Sequence, residues 1–318
     1  MELNKVHNID FLNNTLPDKC ADLIIADPPY FEVKGDFDFV WKTFGDYLVD
    51  VKKWAIECKR LLKDNGTLFW YGDSKKIAYA QIIFDKHFDL LSNITCHIYD
   101  RQTNKITIED ARSFINTSER ILMYSNETYN LTQCVFMIRD YIRSEIIKSK
   151  GKIVLKHVNE ALGTAINGGG VASACLSLDK AEPAMLTKEM YQKLQTWCKP
   201  YLTKEYEELR KEYEELRRPF SPIEQYKMDV LRVSQEGHIT GKYEHDTVKP
   251  EKLTRILLNT CTRKGDTVIV PFAGSGTECA MTVKENCNFY AFEITKKHAD
   301  MSNKRVSKIM CNPCLPFE

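Results

Sequence analysis

The stretch Leu23-Ile24-Ile25-Ala26-Asp27-Pro28-Pro29-Tyr30 decides how this 318-residue chain folds. Four apolar residues in a row read as a buried strand. Two prolines then end it, because proline fixes φ and has no N–H to give to a sheet. The strand's carboxyl end therefore carries an acid, two stiff carbonyl-bearing residues and an aromatic ring. In open α/β sheets ligands sit at that end. These groups suit a flat base bearing an exocyclic amine: the acid and a carbonyl accept its hydrogens, and the ring stacks on its face. The same residues also fit a plain strand and turn with an incidental Asp and Tyr, and a short motif alone does not choose between the two.

A second stretch, Val268-Ile269-Val270-Pro271-Phe272-Ala273-Gly274-Ser275-Gly276-Thr277, lies far downstream. An apolar strand runs into a glycine-spaced turn, and a helical pattern follows. Glycines let backbone approach a ligand closely, and the helix start offers free N–H groups. No Gly-x-x-x-x-Gly-Lys is present, so a nucleotide-phosphate loop is not indicated. The next strand, Phe289 to Phe292, ends in Glu293, an acid placed as dinucleotide folds place the one that meets ribose hydroxyls.

Taken together, Asp27-Pro28-Pro29-Tyr30 near the start and Phe272 to Thr277 near the end resemble the β-class amino-methyltransferases. That family uses S-adenosylmethionine to methylate the exocyclic amine of a DNA base, and its catalytic motif precedes its cofactor motif. A third segment, His245-Asp246-Thr247-Val248-Lys249-Pro250, is similar to the family's His-x-Thr-x-Lys-Pro. The likeness covers residues 4–125 and 240–303. It implies an α/β fold with a doubly wound, Rossmann-like sheet. That sheet would be mostly parallel with a terminal antiparallel hairpin, and permuted so that the catalytic half comes first. A mainly helical module would be inserted. The expected division is 1–130 with 238–318 for the catalytic domain and 131–237 for the insert.

The resemblance also implies roles. Asp27, Pro28, Pro29 and Tyr30 would be catalytic. The cofactor would meet Asp10 and Phe11 at its adenine, Glu293 at its ribose, and His245, Thr247 and Lys249 near its methionine end. Asp27 and the turn Pro271, Phe272, Ala273, Gly274, Ser275, Gly276 and Thr277 would complete its site. Read without the family, Phe11 is equally a core residue and Asp10 equally a helix cap. One position departs from the pattern. The family has Asp before Pro-Phe, expected to meet the cofactor's amino group, and this chain has Val270; Asp266 and Glu278 are the acids that could substitute. In the family, Asp before Pro-Pro-Tyr goes mostly with adenine N6 and Ser mostly with cytosine N4, so the resemblance implies adenine, although the same groups serve either amine. The alternatives are a cytosine-N4 enzyme and a DNA-binding relative without catalysis.

Composition sets bounds. Forty-five Lys and Arg balance 44 Asp and Glu, so any DNA face must be a local basic patch. The 11 cysteines are odd in number and scattered, which fits reduced thiols in the cytoplasm. Cys311 and Cys314 form a lone C-x-x-C, short of a zinc set, and no metal is expected. No apolar run is long enough to span a bilayer and no signal peptide is expected.

Along the chain, Lys5–Ile9, Thr67–Tyr71, Asn93–Tyr99 and Arg120–Tyr124 read as strands. Asp46–Leu62, Ile77–Phe88, Met185–Trp197 (capped by Thr187), Glu251–Asn259 and Lys296–Ile309 read as helices. Asn65-Gly66 reads as a helix end. The long polar stretch Arg101 to Thr117 reads as a functional loop, with Arg101, Lys105 and Arg112 available to DNA. Arg139, Arg143, Lys148 and the lysines after them suit phosphate contacts, or a solvated helix face paired through Asp140 and Glu145. Residues 205–210 recur at 212–217 in a short heptad stripe, read as a helix packed on its own domain in preference to a dimer seam. Double-stranded DNA is the expected partner, with a cognate restriction endonuclease and a homodimer as further options.

Overall fold

The computed structural model describes residues 1–33, 38–99, 114, 116–126, 131–165, 170–180, 183–234 and 248–311. They form two compact units, Met1–Thr128 with Pro219–Glu318, and Tyr129–Arg218.

The larger unit is built on an eight-stranded sheet. Its strands are β1 (Lys5–His7), β2 (Ala21–Ala26), β3 (Leu62–Gly72), β4 (Phe88–Ile98), β5 (Ser118–Asn126), β6 (Val230–Val233), β7 (Thr267–Val270) and β8 (Asn288–Phe292). Their spatial order is β1-β8-β7-β2-β3-β5-β4-β6. Only β5 runs against its neighbours, β3 and β4. The β4–β5 hairpin is antiparallel, as the sequence predicts, but it does not end the sheet. The parallel strand β6 pairs with β4 outside it, so residues 219–234, assigned from sequence to the insert, belong to the sheet unit.

Alternation along the strands builds two cores, one on each face. Leu23, Ile25, Phe69, Tyr71, Val268 and Val270 join one cluster, with α8 (Glu251–Cys261), α9 (Thr277–Lys284) and α10 (Lys296–Cys311). Ile24, Ala26, Leu68, Trp70, Ile269 and Phe292 join the other, with α1 (Phe44–Leu61) and α2 (Ile77–Phe84). The sheet is thus doubly wound. Helix α1 starts at a capping box, in which the Thr43 hydroxyl accepts from the Asp46 N–H and the Asp46 carboxylate accepts from the Thr43 N–H. It buries Val51, Trp54, Ala55 and Cys58.

Two expected boundaries move. Helix α1 ends at Leu61, and Asn65-Gly66 lies within β3. There Ala21 pairs with Leu62 but Leu23 pairs with Thr67, so β3 makes an excursion between those two pairings. Helix α2 ends at Phe84, and Phe88 already pairs with Asn126 in the hairpin.

The smaller unit is helical: α3 (Leu131–Lys150), α4 (Leu155–Leu162), α5 (Gly170–Leu176), α6 (Lys188–Cys198) and α7 (Tyr206–Leu216). Ile138, Ile142 and Ile146 form the buried stripe of α3. Thr187 caps α6 by accepting from the Met190 N–H. Of the heptad stripe, Leu209 is buried and Tyr206 and Tyr213 pack on this unit's own core, while Leu216 at its end is exposed.

Of the expected phosphate contacts, Arg139 is taken up inside the fold and Arg143 is partly engaged. Arg139 is buried, donating to the Ser177 carbonyl and the Asp140 carboxylate and lying over the Phe136 ring. Arg143 donates to the Leu176 carbonyl. Both satisfy carbonyls at the end of α5, which a helix leaves unpaired. Lys148 is exposed and paired with Glu145 at 2.6 Å. Arg101, Lys105 and Arg112 lie outside the described residues.

Candidate active site

Strand β2 leads on to β3 on one side, while its other neighbour, β7, leads on to β8 on the opposite side. The order of the sheet therefore reverses between β2 and β7, and such a switch point opens a crevice at the carboxyl ends of the strands. Both motifs stand there. Asp27-Pro28-Pro29-Tyr30 follows β2, and the glycine turn follows β7. Because β1 and β8 run parallel to them, Asp10, Phe11 and Glu293 leave the sheet at the same end.

The acid turn is held by a lysine from the far end of the chain. Lys249, immediately before α8, is 5% exposed. Its ammonium lies 3.1 Å from Asp27 Oδ1 and 3.1 Å from Glu119 Oε2. It sits over the rings of Tyr30 and Tyr71, 5.3 and 5.2 Å from their centroids. The Tyr30 hydroxyl donates to Asp27 Oδ1 at 2.5 Å, and the Tyr30 N–H donates to Asp38. Burial opposes the Lys249 charge, but Asp27 and Glu119 outweigh it and hold the ammonium above its ordinary range. Burial raises Asp27, and Lys249 and the Tyr30 hydroxyl pull it back.

The glycine turn is braced from behind by α10. Gly274 and Gly276 both have positive φ, 47° and 74°. A Cβ on Gly276 would lie 2.8 Å from Ser302 Oγ, so the close approach of α10 requires glycine there. Ser302 donates to the Gly274 carbonyl at 2.8 Å. Arg305, buried, donates to the Ser275 carbonyl, to Thr277 Oγ1 and to Glu251. Pro271 and Ala273 are buried, and Phe272 packs edge-on against Trp54, 4.9 Å between centroids. Glu293 accepts from the Gly274 N–H at 2.9 Å and from the Thr295 N–H at 2.8 Å, tying the turn to the end of β8. Asp10 caps a single turn of 3-10 helix by accepting from the Leu12 N–H, and Phe11 is buried against Phe292. His245 and Thr247 lie outside the described residues.

Four residues at this end were not picked out from sequence. Tyr71, Glu119, Ser302 and Arg305 sit in strands and helices where tyrosine, glutamate, serine and arginine carry no local signal, and only pairing of distant segments brings them here.

The family model described as DNA methylase, of the N6/N4 amino-methyltransferase type, matches residues 21–304. The chain belongs to the DNA methylase family. Among relatives of this DNA methylase, the type II methyltransferase M.HinfI of Haemophilus influenzae is 23% identical over 94% of this chain and 66% of its own length. The DNA adenine methyltransferase YhdJ of Escherichia coli K12 is 24% identical over 92% of this chain and 78% of its own. The chain thus spans about two thirds to four fifths of these relatives. In fold it is similar to TTHA0409 of Thermus thermophilus, a candidate DNA modification methylase solved with S-adenosyl-L-methionine. That match has TM-score 0.53 and 16% identity, over 96% and 93% of the two chains. The cytosine-N4-specific PvuII DNA methyltransferase is also similar, with TM-score 0.53 and 12% identity over 96% and 92%.

The residues of this DNA methylase fit S-adenosylmethionine, which carries a sulfonium and an ammonium. The crevice gathers the carboxylates of Asp27, Glu119, Glu278 and Glu293. Two buried polar atoms close to Asp27 and Lys249, Glu278 Oε1 and Tyr71 Oη, have no hydrogen-bond partner. Buried polar atoms are nearly always paired, so these two call for a partner that the chain itself does not supply. Among the described residues no group of three or more His, Cys, Asp or Glu could hold a metal ion. Likewise, no helix among them is long and apolar enough to cross a membrane.

Proposed function

We propose that this chain transfers a methyl group from S-adenosylmethionine to N6 of an adenine turned out of duplex DNA. The observation that carries the reading is the meeting of the acid turn and the glycine turn at the switch point between β2 and β7, in a chain of the DNA methylase family. YhdJ, described as an adenine methyltransferase, supports adenine, as does Asp in place of Ser before Pro-Pro-Tyr.

The amine of adenine is a weak nucleophile because its lone pair is drawn into the ring. Asp27 accepts one of its hydrogens and the Pro28 carbonyl the other, and the carboxylate stabilises the positive charge that grows on nitrogen. Tyr30 and Lys249 both bind Oδ1, which fixes the carboxylate and leaves its other oxygen for the amine. Lys249 also opposes the effect of burial on Asp27 and so favours the ionised carboxylate that this chemistry needs. Stacking of the base on an aromatic side chain offsets part of the cost of unstacking it, a few kcal/mol. Tyr30 is the ring the turn offers for this, beside a narrow cleft of ≈ 10 Å³ that it lines with Phe31, Tyr47 and Lys76. The cofactor, when bound, would supply a methyl group on a cationic sulfur whose leaving form is a neutral thioether. The glycine turn, Pro271 to Thr277, and Glu293 would hold and orient it. The nitrogen's surplus proton passes to water.

The helical unit, 129–218, is the reader of the target sequence on this account, supported by its place between the β4–β5 hairpin and the Lys249 segment. The type II designation of M.HinfI supports a modification role beside a cognate endonuclease.

Asp27→Ala tests the mechanism. Methyl transfer should fall by at least about a hundredfold, the scale of losing one charge-stabilising group, while S-adenosylhomocysteine still binds within a few-fold by calorimetry. Transfer at the wild-type rate would refute the role of Asp27.

A further inference from the structure

Glu278 is the second residue of α9, whose first turn rises from the glycine turn at the switch point. It is 4% exposed, and its Oε1 has no hydrogen-bond partner. A buried carboxylate oxygen without a donor is costly, because it has lost water and gained nothing in return. The oxygen is not remote from the chemistry. Glu278 interacts electrostatically with Asp27, Lys249 and Arg305, and with the Tyr71 hydroxyl, itself buried without a partner. Two orphaned acceptors thus lie together at one end of the sheet.

The alternatives for an acid at this point fail on geometry. Val270 is buried in the apolar cluster with Leu253, Leu257 and Val306 and offers no polar atom. Asp266 precedes β7, at the opposite end of that strand from the glycine turn. Five residues of extended chain place it roughly 15 Å away, and its carboxylate is taken by the Arg263 N–H at 2.7 Å.

We infer that Glu278 is the anchor for the α-ammonium group of S-adenosylmethionine, with the Tyr71 hydroxyl beside it as a second acceptor. This deepens the reading proposed above and rests on it. The ammonium brings both charge and donors to the unpaired oxygen. A charge-assisted bond of this kind turns the cost of the buried carboxylate into cofactor affinity. The carboxylate is then a binding and positioning group. It fixes the amino-acid end of the cofactor while the turn, Gly274 and Glu293 hold the nucleoside end.

The test compares two ligands on two proteins by calorimetry. S-Adenosylhomocysteine carries the amino-acid group; 5′-methylthioadenosine lacks it. Wild type should bind both. Glu278→Gln keeps the shape and removes the charge, so it should weaken S-adenosylhomocysteine about tenfold to a hundredfold and leave methylthioadenosine unchanged. Equal S-adenosylhomocysteine affinity in the two proteins overturns the inference. Equal weakening of both ligands also overturns it, because Glu278 would then act on the shape of the turn. If wild type binds neither ligand, the cofactor reading itself has failed, a result distinct from the other two. An insoluble Glu278→Gln leaves a measurement on the unaltered protein. There S-adenosylhomocysteine should bind at least about tenfold tighter than its deaminated analogue, and equal affinity overturns the inference.

Discussion

Lys249 governs the charge of the site. It is the buried cation facing Asp27 and Glu119, and it approaches from a segment more than two hundred residues after the acid turn. Burial alone would lift Asp27 towards its neutral form, and Lys249 is the largest influence in the other direction. Removing the ammonium must therefore raise the Asp27 pKa further. Since the mechanism needs the carboxylate ionised, Lys249→Met should move the acid limb of the rate profile to higher pH, with partial recovery of rate in alkaline buffer. Profiles that differ in height but run parallel would show that Lys249 does not act through Asp27. Glu278 gives the opposite expectation for stability. Burial, then the Asp27 charge, push it from 4.5 up to about 7 against the pull of its own N–H, Lys249 and Arg305. The folded apo protein thus prefers Glu278 protonated, and this contribution is lost as pH rises through about 7. Glu278→Gln should melt above wild type in alkaline buffer and level with it in acid. A wild-type advantage above neutrality would mean that the carboxylate already has a cation partner without cofactor.

At the scale of elements, the aromatic packing behind the sheet keeps β3 and α2 in place. Phe84 lies 4.4 Å from Trp70 and 5.6 Å from Tyr124 between ring centroids, and it is fully buried. Phe84→Ala opens a cavity among these rings and should cost about 3–5 kcal/mol, read from the denaturant midpoint; a loss under about 1 kcal/mol would mean that the cluster closes over the gap. The same elements explain what was legible beforehand. Strands such as Leu23–Ala26 and Val268–Val270 announce themselves as apolar runs cut off by proline, and α1 and α8 by helical spacing with a clear start. The strand β6 was missed because four residues, Val230 to Val233, pair with a partner more than a hundred positions earlier. Its alternation of buried Leu231 and Val233 with exposed Val230 and Arg232 is the period-two signal that marks it. The excursion in β3 was hidden because Asn65-Gly66 is turn chemistry wherever it occurs, and only the register against β2 reveals that the strand resumes. Arg139 and Arg143 read as a basic patch because charge is visible in sequence, whereas the open end of α5 that they satisfy is not.

For the whole molecule, the acid turn and the glycine turn are separated by more than two hundred residues, and the parallel pairing of β2 with β7 makes them neighbours. The motifs were readable alone, with Lys249, Glu278 and Glu293 in or beside them; their shared crevice follows from strand order, and Glu119 and the pairing of Lys249 with Asp27 follow from nothing shorter than the complete sheet. The near-balance of charge over the chain means that DNA attraction must come from local surfaces, so affinity for duplex should fall with salt according to the few phosphates contacted. The most direct test of the account is methyl transfer from isotopically labelled S-adenosylmethionine to unmethylated duplex DNA, followed by mass spectrometry of the nucleosides. Label is expected in N6-methyladenine and is expected to be absent from the Asp27→Ala product. Label in N4-methylcytosine, or no transfer by a protein that binds the cofactor and duplex, would contradict it.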